Sequence, residues 1–140
     1  MLLELEQLLK RLDHIGIVVG NIQEALRPYE LLGMKVEKIL DLPTKPVTVA
    51  FLPLGDTELE LLQPNADGSN IADFLKEKGE GLHHICFEVS NLDAIIQNVR
   101  ESGLKMLDEV PRIGATGRIA FIDPGSTNGV LIELMEKISL

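Results

Sequence analysis

The chain has 140 residues, a formal net charge of −9 and a single cysteine, with 45% hydrophobic against 25% charged residues. That is the length of one domain with enough apolar side chains for a buried core, and a lone thiol excludes an internal disulfide. Such an acidic chain has no general attraction for phosphate backbones, which argues against nucleic-acid binding, and no apolar run approaches the ~20 residues of a membrane-spanning helix. A soluble, cytoplasmic protein is the expectation.

The elements follow in chain order. Leu2, Leu5, Leu8 and Leu9 have helical spacing, but Glu4 and Glu6 interrupt any secretory core, so 2–9 reads as a short helix over a sheet edge or a dimer seam. Residues 14–19 (HIGIVV) form a β-rich run. Asn21 then offers a helix N-cap, 22–32 reads as a helix, and Gly33 suits its C-terminus. Strand-like runs follow at 35–40, 47–54 and 58–63, with turns at 42–46 and 55–56. A linker holds a short helix at 71–78. The order then restarts: strand 84–89, cap Asn91, helix 92–102, Gly103, and strands 104–110, 118–122 and 130–135, with turns at 114–117 and 123–129.

The restart is an internal repeat. DHIGIVVGNIQEALRPYELLGMKV lies over HHICFEVSNLDAIIQNVRESGLKM without a gap at an offset of 70, matching His14 to His84, Val19 to Val89, Asn21 to Asn91 and Gly33 to Gly103. The expected fold is α+β. Two tandem βαβββ modules form curved mixed sheets around a metal-binding cavity, with the helices outside. Residues 1–140 are one domain, with module 1 at about 12–64, a linker at 65–81 and module 2 at about 82–136.

Strand side chains alternate between faces. Ile15, Ile17 and Val19 form the face that a helix covers, so His14 points the other way; Ile85, Phe87 and Val89 likewise oppose His84, Cys86 and Glu88. In the last strands Leu59 and Leu61 oppose Glu60, while Ile132 and Leu134 oppose Glu133. Two imidazoles and two carboxylates on one face suit an octahedral divalent transition ion with two positions left for water or substrate. Any one of the four alone is more often an ordinary polar strand residue. The same residue type at the same module position twice favours ligands, and a carboxylate inside VLIELM is costly to bury without a partner. Cys86 cannot by itself make a thiolate site and reads as packing near the metal.

At these residues the chain resembles the vicinal oxygen chelate superfamily and, within it, the methylmalonyl-CoA epimerase family. The matching stretches are DHIGIVV, ELELLQP, GEGLHHICFEV and IGATGRIAFIDPGSTNGVLIEL, running from about Leu12 to Glu136. The resemblance implies His14, Glu60, His84 and Glu133 as ligands of a Co, Zn, Mn or Ni ion, an acyl-CoA substrate and a homodimer. It implies C2 proton abstraction and return through a metal-stabilised enolate, with Glu133 as one base. Arg112 and Arg118 flank a glycine turn and are candidates for contacting coenzyme A phosphates, against the alternative of ordinary solvated loop cations.

The family's second base is a Glu in a P-E-x-G-V turn, and this chain has LPTKPV, so Thr44 stands at that position. A threonine is no comparable base at neutral pH. Three readings follow: Glu58 or Glu88 substitutes, water relays a proton past Thr44, or the substrate is another acyl-CoA. The substitution also keeps a glyoxalase I-like lactoylglutathione lyase open. Glu60, as a fourth ligand, argues against an extradiol-type oxygenase, and a full ligand set argues against a small-molecule sequestering module.

Overall fold

A computed structural model describes residues 8–114 and 117–138. The chain is α+β, and the described residues form three α-helices and the eight strands of a mixed sheet: β1 (Leu9–Val18), α1 (Ile22–Leu31), β2 (Lys38–Asp41), β3 (Val47–Leu54), β4 (Thr57–Pro64), α2 (Asn70–Lys78), β5 (Gly81–Val89), α3 (Leu92–Glu101), β6 (Arg112–Ile113), β7 (Gly117–Ile122) and β8 (Ile132–Lys137). Two compact units divide it, His14–His83 and a discontinuous one made of Met1–Asp13 with His84–Leu140. The boundaries fall inside β1 and β5, so the second unit recruits the start of β1.

In the first unit the strand order is β2-β3-β4-β1; β1 runs parallel to β4 and the other pairs are antiparallel. α1 starts because the Asn21 side chain accepts from Glu24 N (2.9 Å), a cap worth ~1 kcal/mol. Its first turn is tied to β4, where Gln63 Oε1 accepts from Ile22 N at 2.8 Å. Ile22 and Leu26 on the helix pack with Val19, Ala50, Leu52 and Leu61. The opposite face of the same strands is also closed. Val18, Val47, Val49 and Leu62 are buried under α2 through Ile71, Phe74 and Leu75.

The second unit repeats the plan in the order β5-β8-β7-β6, with β5 parallel to β8. Asn91 caps α3 on Ala94 N at 3.0 Å, and Glu136 Oε1 accepts from Leu92 N at 2.8 Å, as Gln63 does for α1. Leu92 and Ile96 pack with Val89, Ala120, Ile122 and Leu134. Beneath α3 a cavity of about 380 Å3 remains, lined by Leu8, Phe87, Ile95, Asn98, Val99 and Leu104 among others. Gly117 faces Lys137 in the β7–β8 register, and a Cβ there would lie 2.1 Å from Glu136 O, so only glycine allows this approach.

Two expectations need correction. The run 104–110 is not a strand. Met106 makes a single bridge to Ile122, and the Asp108 carboxylate accepts from Phe121 N at 2.7 Å where a ladder carbonyl would. The outer strand shrinks to Arg112–Ile113, before which Pro111 has no N–H to offer. Leu9 opens β1 rather than ending a helix, because Ser90 N donates to Leu8 O at 2.9 Å and draws this segment to the end of β5. Residues 2–7 and two of the four in the 114–117 turn lie outside the described residues.

Candidate metal centre

In the first unit His14 lies on β1, 7% exposed, beside β4. Its Nδ1 is 3.2 Å from Glu60 Oε2. In the parallel register Glu60 stands opposite Gly16, which has no side chain to compete for the space, and Glu58 stands opposite His14. Glu58 is half-buried and shares the parity of Glu60.

The second unit builds the same pair. His84 on β5 approaches Glu133 on β8, with Nε2 to Oε1 at 3.3 Å, and Glu133 is 9% exposed. The register Cys86↔Glu133 fixes the carboxylate beside this strand. Cys86 is fully buried. Phe121 on β7 meets the His84 ring edge-on at 6.3 Å and limits its rotation. Arg112 lies over Phe121, 5.6 Å from the ring centre, and is held by Asp108 at 2.9 Å.

A nitrogen and an oxygen 3.2–3.3 Å apart suit a hydrogen bond. They also suit adjacent ligands of one ion, since donors at ~2.1 Å from an octahedral centre are separated by about 3 Å. Each pair supplies one imidazole and one carboxylate, borderline donors matched to Co, Zn, Mn or Ni. The donor chemistry of each pair therefore fits a divalent ion.

Residues 13–122 match the glyoxalase/bleomycin resistance protein/dioxygenase superfamily. The ethylmalonyl-CoA/methylmalonyl-CoA epimerase of Cereibacter sphaeroides is 41% identical over 89% of this chain and 96% of that one. The crystal structure of methylmalonyl-CoA epimerase from Mycobacterium tuberculosis is similar with a TM-score of 0.85 and 33% identity, over 99% of this chain and 94% of that one. A structure of methylmalonyl-CoA epimerase in complex with methylmalonyl-CoA and ammonium has a TM-score of 0.81 and 32% identity, over 94% and 96%. The chain belongs to the methylmalonyl-CoA epimerase family of that superfamily.

Against this family's pattern the remaining residues fall in distinct places. Thr44, the position that the sequence resemblance assigns to the second base, is exposed in the turn between β2 and β3. Arg112 is on the Phe121 side of β7. Arg118 points to the helix side, where its guanidinium takes both oxygens of Asp93 (2.9 and 3.1 Å) and approaches Glu136 at 3.6 Å. The Arg118 hydrogen bonds hold the Asp93 carboxyl below its ordinary value. The alternation that puts Ala120 and Ile122 under α3 puts Arg118 on that side too.

Glu88, named above with Glu58 as a carboxylate that could stand in for the base at Thr44, lies among cations. It is 6% exposed, shares the parity of His84 and has Arg11 Nε at 2.9 Å, Lys10 Nζ at 3.5 Å and Lys137 Nζ at 3.6 Å. Burial opposes ionisation of this carboxyl, but Arg11, Lys137 and Lys10 together hold it below its ordinary value. Parity could have placed Lys137 here, two positions beyond Met135 on the Glu133 face. Nothing local marks Lys10 and Arg11, whose partner lies 77 residues away for Arg11.

Proposed function

We propose that this chain interconverts the two C2 epimers of methylmalonyl-CoA, with His14, Glu60, His84 and Glu133 holding one divalent ion of the Co, Zn, Mn or Ni class. The observation that carries this reading is the repeated imidazole–carboxylate pair, at 3.2 Å in one unit and 3.3 Å in the other, in a chain of this family. When bound, the ion would supply positive charge to the oxygen on which the enolate's negative charge develops, making a weak carbon acid acidic enough to deprotonate.

The protein side chains do the rest. Glu133 is the base for one face of C2: it takes the proton from one epimer while a group on the other face delivers one, and it gives the proton in the reverse direction. Its mostly buried position limits competition from water. The second face needs another group. Thr44, at the family's base position, has no carboxylate and can take part only by orienting a water. Of the two substitutes, Glu58 stands opposite His14 on the parity of Glu60 and is assigned to that face, while Glu88 is engaged by Arg11, Lys10 and Lys137. Arg112, fixed by Asp108 over Phe121, is the substrate-binding cation on the His84 side. Arg118, spent on Asp93 and Glu136, has a structural role in this reading. No described helix is long and apolar enough to cross a membrane. We assign the protein to the cytoplasm and to a homodimer, in which exposed Val110 and Ile113 offer apolar surface to a second copy.

The missing glutamate at Thr44 favours one competing reading, isomerisation of a glutathione hemithioacetal, which uses the same ion and an enediolate. Incubation of cobalt-loaded protein with a single methylmalonyl-CoA epimer in D2O separates the two. Deuterium at C2 and loss of optical purity are expected. Turnover of the hemithioacetal alone would overturn the assignment.

A further inference from the structure

The charged cluster around Glu88 lies on the face that carries His84 and Glu133. On β5, His84, Cys86 and Glu88 alternate onto one side; on β8, Glu133, Met135 and Lys137 do the same, and the contacts His84–Glu133 and Glu88–Lys137 confirm the shared side. Lys137 is four residues beyond Glu133, a span of about 13 Å along an extended strand. The cluster contains Lys10, Arg11 and Lys137 against Glu88 and Asp13, a net positive charge in a chain whose overall charge is −9.

The three cations are not held alike. Arg11 is locked to Glu88 at 2.9 Å and Asp13 at 2.6 Å. Lys10 and Lys137 approach Glu88 only at 3.5 and 3.6 Å, and their side chains are 56% and 49% exposed. An ammonium has three N–H donors, so a single loose carboxylate contact leaves donors on both lysines turned towards solvent. Glu88 thus anchors a pair of lysine heads at the edge of the ligand-bearing face.

From this placement we propose that Lys10 and Lys137, gathered by Glu88 and Arg11, form the subsite that takes the phosphate groups of the acyl-CoA substrate. This rests on the epimerase reading and adds where the far end of the substrate lies. With the thioester at the His84–Glu133 end, the two-amide pantetheine arm, comparable in reach to about four extended residues, spans the ~13 Å to Lys137. Phosphate oxygens then meet two lysine heads rather than bulk water, and the chain's negative charge, which repels a polyanion elsewhere, is locally reversed.

The test compares wild type with the double variant K10Q/K137Q, which leaves the Arg11–Glu88–Asp13 ion pairs in place. The ratio of kcat/KM for methylmalonyl-CoA to that for methylmalonyl-pantetheine, which lacks the phosphates, should fall about tenfold in low salt, two exposed contacts' worth. Most of the loss should appear in KM. Calorimetric binding of coenzyme A should weaken by a similar factor and lose part of its salt dependence, and 3′-dephospho-CoA tells whether the 3′-phosphate or the diphosphate is held. An unchanged ratio with unchanged CoA affinity would overturn the subsite and leave the epimerase reading intact. CoA binding that is sensitive to the variant, in a protein that epimerises nothing, would overturn that reading and leave the subsite standing.

Discussion

Val18 and Glu88 occupy one position in two copies of a strand, 70 residues apart, and both are buried, at 0% and 6% exposure. In the first unit the surroundings are apolar: Val47, Val49 and Leu62 on the sheet, with Ile71, Phe74 and Leu75 of α2 packed over them. In the second the corresponding ground carries Lys10, Arg11 and Lys137. On the helix faces the copies agree down to the side chain that ties each helix to its last strand, Gln63 to Ile22 and Glu136 to Leu92. A duplicated module can therefore keep its helix-side core and its imidazole–carboxylate pair while one copy is sealed with hydrocarbon and the other is left charged. The helix face preserves the fold, and the opposite face is where the copies diverge.

The comparison can be broken first at what the copies share. If the two pairs serve one ion, His14→Ala and His84→Ala should each lower cobalt affinity by at least about a hundredfold and epimerisation by ~10^3 or more, with circular dichroism unchanged. A variant that keeps full affinity would remove its unit from the metal site. Next comes what they do not share. Val18→Glu puts the second copy's residue under α2 with none of its cations, and should cost about 3–5 kcal/mol in urea unfolding. Were it harmless, the α2 seal would be looser than its burial implies.

Glu88→Gln removes the anion that three cations surround, with an expected cost of about 2 kcal/mol because two of those cations reach solvent. Its pH signature has a definite sign. A carboxyl held below its unfolded value of 4.5 stabilises the fold in full above that pH and loses the contribution as pH falls through the depressed folded value. Acid unfolding of the wild type should therefore be steeper than that of Glu88→Gln. The smallest effect is on the helix side. The buried Asn98 Nδ2 has no hydrogen-bond partner among the described residues and sits beside the cavity under α3. Asn98→Leu should raise stability by about 1 kcal/mol, read as a higher urea midpoint.

Much of this was legible in the sequence. Asn21 and Asn91 cap their helices, and Gly33 and Gly103 take φ of +97° and +86° after them, as glycine at a helix end allows. β3 spans 47–54 as the apolar run predicts. Alternation put His14 with Glu60 and His84 with Glu133, because a strand's parity is a local property. What local pattern could not supply was pairing across long separations. KRLD at 10–13 has no clear alternation and becomes strand because the end of β5 needs a partner. The run 104–110 has strand composition, yet Asp108 takes over a rung of the ladder with its side chain.

That long-range pairing has a consequence for synthesis. Residues 8–13 leave the ribosome before the rest of their unit, which is discontinuous, and Arg11 must wait for Glu88, 77 residues later. At ~5–20 residues per second this is a delay of roughly 4–15 s, during which the basic LKR stretch is exposed beside a growing acidic chain. His14–His83, by contrast, can collapse as it emerges. The nascent protein should thus become protease-resistant in two stages, with its earliest strand segment among the last to be protected.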